Sequence, residues 1–169
     1  MQQTKLYGDK ISVSGTFPKA GTQAPEFSLC TIDLEEINLS SFAGKKLLLN
    51  IFLSVDTPVC ATSVQKFNEQ VNDDTVVLCI SADLPFSASR FCISQGFENI
   101  TMASFFRSPE FTEDYGVNLN QGRFKGLASR AVIVINEEGL VCYSELVKDI
   151  SREPNYTGAL SALANINFY

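Results

Sequence analysis

From Lys45 to Ser54 the chain reads KKLLLNIFLS, a continuous apolar run with a charged start. A half-buried strand alternates polar and apolar residues; an unbroken run belongs to a strand covered on both faces. Such a strand needs a layer of structure on each side of its sheet. A second run, DTVVLCISA at Asp74–Ala82, has the same character. Between the two, residues 58–72 switch to helical period, so the middle of the chain reads buried strand, helix, buried strand.

The flanking segments extend this order. Turn signals at Gly8-Asp9 and at Pro18–Gly21 bracket KISVSG and predict an N-terminal β-hairpin. EFSLCTIDL and EEINLS are short strands, residues 85–97 are helical, and NITMASF is a further strand. SPEFTEDYG opens like a capped short helix, and SRAVIVINEEGLVCYSELV is a hairpin turned at Glu138-Gly139. NYTGALSALANI closes the chain as a helix. Strands alternating with helices, followed by an antiparallel hairpin, predict an α/β fold with a central mixed β-sheet flanked by helices. This is the thioredoxin-like arrangement with an N-terminal β-hairpin added. No repeat or linker divides the 169 residues, so one domain over 1–169 is expected.

A net charge of −6, from 13 basic and 19 acidic side chains, argues against nucleic acid or an anionic membrane as main partner. No run of about 18 apolar residues is present to span a bilayer. The opening MQQTKLYGDKISVSG lacks the apolar core of a signal peptide. A cytoplasmic protein is expected. The chain has five cysteines, Cys30, Cys60, Cys79, Cys92 and Cys142, and no histidine. An odd count without a Cys-x-x-Cys pair suggests neither a disulfide framework nor a dithiol or zinc motif. The lack of histidine removes Ser-His and Cys-His hydrolase mechanisms and most catalytic zinc sites.

Cys60 stands where strand gives way to helix, in DTPVCATSVQKFNEQV. Asp56 or Thr57 is a natural N-cap and Pro58 suits the first helical position. Cys60, Val64, Phe67 and Val71 then share one helix face, so the thiol points inward. It also lies in the first turn, where unpaired N–H groups and the positive end of the helix dipole favour a thiolate. The Thr57 hydroxyl can donate to that sulfur. On spacing alone, a small buried hydrophobe explains Cys60 equally well. Cys79 reads as core, and Cys30 and Cys142 as strand residues. Cys92 differs: Phe86, Arg90, Ile93 and Phe97 share one side of its helix, and Cys92 lies about 120° from the middle of that stripe. Off an apolar face, it is either a functional thiol or a harmless exposed one.

The chain resembles, nearly end to end, the bacterial thiol peroxidases, which are atypical two-cysteine peroxiredoxins. The resemblance rests on AGTQAPEFSL, LNIF, DTPVCATSVQKFNEQ, VVLCISADLPFSASRFC, FRSPEFTEDYGV, GLASRAVIVINEEGLVCYSELV and EPNYTGAL. It implies that Cys60 is the peroxidatic cysteine, Cys92 the resolving cysteine of the same chain, and Thr57 and Arg130 the remainder of the site. Read from residues alone, Arg130 is an arginine at a strand start, at the surface or ion-paired. The resemblance further implies a Cys60–Cys92 disulfide, a homodimer, recycling by thioredoxin, and no metal or organic cofactor. It favours alkyl or lipid hydroperoxides beside hydrogen peroxide. Phe52, Phe86, Phe91, Phe105 and Phe106 lie in flanking segments, but phenylalanines are more often core than substrate wall.

One residue departs from the family's Pro-x-x-x-Thr/Ser-x-x-Cys signature: Leu53 stands where the proline belongs. Leucine retains apolar shielding but restores an N–H and frees φ. Two rival expectations follow: a one-cysteine peroxidase resolved by an external thiol, and a catalytically impaired thioredoxin-fold module.

Overall fold

The apolar run beginning at Lys45 becomes an interior strand of a seven-stranded sheet. The computed structural model describes residues 2–166, so the expected unit of 1–169 extends past the described residues at both ends. In chain order the elements are β1 (Gln2–Leu6), β2 (Asp9–Ser14), β3 (Ser28–Thr31), β4 (Glu36–Asn38), β5 (Lys46–Ile51), α1 (Pro58–Gln70), β6 (Thr75–Ser81), α2 (Pro85–Gln95), β7 (Thr101–Ser104), α3 (Glu110–Asp114), β8 (Asn118–Leu119), β9 (Ala131–Ile135), β10 (Val141–Leu146) and α4 (Tyr156–Asn165). Short 3-10 turns occupy Leu39–Phe42 and Gly122–Phe124.

The large sheet is mixed, in the order β10-β9-β5-β6-β7-β3-β4. β5, β6 and β7 run parallel, while β9 and β3 flank them antiparallel. All six residues of β5 are buried. Its period of two explains why both faces need cover. Leu48 and Phe52 enter one core with α1, α2 and α4; Leu47, Leu49 and Ile51 enter the opposite core with Phe111 and Tyr115 around α3. Full burial of each such side chain is worth about 1.5–3 kcal/mol. The charged start of the run is accounted for as well. Lys46, nearly buried, pairs with Asp74 at 2.9 Å, and Lys46 lies opposite Thr75 in the parallel register. That bond holds the Asp74 carboxyl below its usual range.

The N-terminal hairpin forms as expected, with β1 and β2 antiparallel. It extends into a three-stranded sheet through β8, which carried no sequence signal. SPEFTEDYG does fold as a short helix, but Pro109 occupies its cap position and supplies no side-chain bond. Among the described residues, no helix is long and apolar enough to cross a membrane.

Candidate active site

The site is built where β5 ends. Phe52 prolongs the β5–β6 ladder with an N–H bond to Ile80 O at 3.1 Å, and the chain then turns through Leu53–Asp56 into α1. Thr57 is the N-cap residue, extended at φ −97°, and Pro58 is the first helical residue. The Thr57 hydroxyl donates to Ser54 O at 3.0 Å rather than to the Cys60 sulfur, and it makes no cap bond. Its single proton tightens the loop, which is the more local contact. The first intrahelical bond runs from Ala61 N–H to Thr57 O at 3.0 Å, so the Cys60 N–H lies among the unpaired donors of the first turn.

Cys60, Val64, Phe67 and Val71 are all buried, as their spacing predicts. The Cys60 sulfur receives a hydrogen bond from Arg130 Nη2 at 3.2 Å. Arg130 precedes β9 and is 2% exposed, so it is neither a surface residue nor, among the described residues, ion-paired. Ile150 O orients its guanidinium, accepting from Nε at 3.1 Å and from Nη2 at 2.8 Å. Nη1 of the same group is buried and has no hydrogen-bond partner among the described residues. A guanidinium without a direct ion pair therefore lies against a buried sulfur and keeps one donor nitrogen unused among the described residues. The guanidinium thus offers this sulfur a charged hydrogen-bond donor.

Cys92 is not where the helical stripe suggested. It is 8% exposed and lies on the buried face of α2 with Pro85 and Ala88, whereas Phe86 and Ile93 are 69% and 77% exposed. Both faces of this helix carry apolar residues, and the narrow residues won because α2 lies directly against β7. Burial pushes the Cys92 thiol up. Cys60 and Cys92 belong to one apolar core but are not bonded, and every cysteine is free. Both stand near helix ends. Cys92 is in the last turn of α2, where its carbonyl accepts from Phe97 N–H at 3.2 Å around the left-handed Gly96 (φ +68°). That φ is open to glycine without strain.

Several polar groups around the loop were not singled out from the sequence. Asp83, half-buried between β6 and α2, accepts from Ser54 Oγ at 2.7 Å, Val55 N–H at 2.9 Å and Ser81 Oγ at 2.6 Å. Asn50, the one uncharged polar residue of β5, donates to Ser63 Oγ at 3.2 Å, and Ser63 Oγ donates to Cys60 O at 2.8 Å. An isolated amide in a doubly buried strand was a legible sign of such a network. Among the other thiols, Cys79 is core, its pKa pushed up to about 12 by burial. Cys30 is buried as expected but contacts Arg107 Nη2 at 2.6 Å, while Cys142 is exposed beside a bulge in β10.

A family model described as Redoxin matches residues 19–160. A thiol peroxidase from Vibrio cholerae is 52% identical over 155 residues, covering 90% of this chain and 94% of that protein. A thiol peroxidase from Corynebacterium glutamicum is 50% identical over 165 residues, covering 96% and 99%. A solved peroxiredoxin-like protein from Aquifex aeolicus superposes with a TM-score of 0.92 at 36% identity, covering 98% of each chain. A thiol peroxidase from Chromobacterium violaceum shares the fold at a TM-score of 0.89 and 23% identity, over 98% of this chain and 97% of that one.

Proposed function

The chain belongs to the thiol peroxidase family of redoxins, and from that premise we propose that Cys60 reduces hydroperoxides and Cys92 resolves the product. The observation that carries the reading is the 3.2 Å bond from the buried Arg130 guanidinium to the Cys60 sulfur. The Cys60 thiolate attacks the outer oxygen of the hydroperoxide in line with the O–O bond. An S–O bond forms, the O–O bond breaks, and the departing alkoxide or hydroxide takes a proton to leave as alcohol or water. Sulfur is oxidised by two electrons to sulfenic acid. The idle Arg130 Nη1 and the unpaired Cys60 N–H suit the charge that develops on the leaving oxygen. The Thr57 hydroxyl, with its proton given to Ser54 O, retains lone pairs that can accept the peroxide O–H.

The Cys92 thiolate then attacks the sulfenic sulfur; an S–S bond forms, the S–O bond breaks, and the departing hydroxide takes a proton from solvent to leave as water. This requires Cα atoms no more than about 7 Å apart. The first turn of α1, the last turn of α2, or both unwind to allow it. Placement near helix ends makes such fraying inexpensive. Thioredoxin supplies two electrons by exchange and returns both thiols. The bond is transient, suited to a reducing cytoplasm. The chemistry needs only protein groups. Alkyl and lipid hydroperoxides are the proposed substrates beside hydrogen peroxide. A homodimer fits the exposed Leu84, Phe86 and Ile93 around α2.

The test is peroxide reduction coupled to thioredoxin and its reductase. Wild type turns over, Cys60→Ser does not, and Cys92→Ser forms sulfenic acid without thioredoxin-linked turnover. Normal turnover by Cys92→Ser establishes the external-thiol mechanism instead. A silent wild type establishes the non-catalytic module.

A further inference from the structure

We propose that Asp83 is a positioning residue that ties the Cys60 loop to the start of the Cys92 helix and thereby sets the balance between peroxide attack and disulfide formation. The inference rests on the proposed Cys60–Cys92 chemistry. Asp83 lies two residues before the first residue of α2, and its carboxylate reaches across to the loop before α1. Oδ1 accepts from Ser54 Oγ at 2.7 Å, and Oδ2 accepts from Val55 N–H at 2.9 Å and from Ser81 Oγ at 2.6 Å. The Asp83 N–H bonds Ser81 Oγ in return at 3.2 Å, which fixes the carboxylate on the end of β6. The loop itself is wound on Ser54. Its carbonyl accepts both the Thr57 hydroxyl and the Thr57 N–H, and its hydroxyl accepts from Asp56 N–H at 3.1 Å. Holding Ser54 and Val55 therefore holds Thr57, and with it the first turn that carries Cys60.

The consequence is a trade between two steps. The clamped loop keeps Cys60 against Arg130 in the arrangement suited to peroxide attack. The same clamp resists the unwinding that brings Cys60 and Cys92 together. Charge-assisted bonds at these distances are among the stronger ones available to a loop. They also compensate for the freedom that Leu53 introduces one residue before Ser54. Removing them slows the first step and speeds the second, a pattern that general destabilisation does not produce.

The experiment follows rapid quenching, thiol alkylation and mass spectrometry of Asp83→Asn beside wild type, with folding checked by circular dichroism. Cys60 oxidation is read in a Cys92→Ser background, and disulfide formation in the two-cysteine protein. The first rate falls about tenfold from lost alignment, and the second rises several-fold. Sulfinic acid at excess peroxide falls accordingly. Ser54→Ala, which removes one of the three bonds, shifts both rates in the same senses by less, and it carries the test if Asp83→Asn fails to fold. Rates that do not move in opposite directions overturn the clamp. A wild type that forms no Cys60–Cys92 disulfide refutes the resolving-cysteine reading instead, so the two failures are told apart.

Discussion

Arg130 donates through one nitrogen, Nη2, both to the Cys60 sulfur at 3.2 Å and to Ile150 O at 2.8 Å. The carbonyl fixes the plane of the guanidinium, and the plane fixes its contact with sulfur. Lysine carries the charge but not the fork. Arg130→Lys therefore lowers kcat/KM for peroxide about 100-fold, the scale of losing one oriented donor at developing charge. Steady-state kinetics under saturating thioredoxin check it, and a loss below threefold contradicts the assigned role.

Leu53 gives a second expectation. Its N–H takes part in none of the backbone bonds of the loop, and its φ is negative. Phe52 before it is held extended by Ile80, as a residue preceding proline must be. Leu53→Pro restores the family signature without breaking a bond. Loss of unfolded-state freedom adds about 0.4–1 kcal/mol, offset by smaller apolar burial. Melting curves should show a change of at most about 1 kcal/mol, and the stiffer loop should raise kcat/KM by about two- to tenfold. A fall in kcat/KM contradicts this account of the loop.

The buried Cys92 thiol predicts a pH signature confined to the second step. Its burial raises the pKa, so thiolate becomes scarcer at neutral pH. Disulfide formation should keep accelerating into alkaline pH beyond the point where an unburied thiol is fully ionised. Quenched-flow measurement across pH checks it. A second step independent of pH contradicts it.

Asp149 connects the N-terminal hairpin to the residue that orients Arg130. Its carboxylate accepts from Ser151 Oγ and N–H, Gly8 N–H and Tyr7 N–H, and Ile150 follows it directly. The Ser151 hydroxyl, ahead of the backbone donors, pulls its pKa down to about 2. A folded pKa below the unfolded one contributes stability that is complete above about pH 4 and is lost as pH falls through about 2. Asp149→Asn should cost about 1 kcal/mol at neutral pH and progressively less over that acid window, where the two proteins converge. Denaturant unfolding at several pH values measures it. A gap that stays constant between pH 7 and pH 2 contradicts it.

The doubly buried β5 and the inward face of α1 were legible because an unbroken apolar run marked the first and a helical period the second. α2 was not, because Phe86 and Ile93 counted as apolar and yet face outward, while compact Pro85, Ala88 and Cys92 face the sheet. Periodicity counts apolar atoms and does not measure how closely a helix approaches its neighbour. Cys60 and Arg130 lie 70 positions apart, so their contact was available only through resemblance to a family. Asp83 was invisible for a related reason. A carboxylate between a strand and a helix looks like solvent-facing charge until the loop it serves, 28 and 29 residues away, is folded beside it.

The most direct measurement is intact-mass and peptide mass spectrometry of the reduced wild-type chain after one equivalent of hydroperoxide. The account predicts a loss of two hydrogens and a Cys60–Cys92 linked peptide within a single chain, with Cys30, Cys79 and Cys142 still free. A stable Cys60 sulfenic acid with Cys92 still alkylatable, or no oxidation at Cys60, contradicts it.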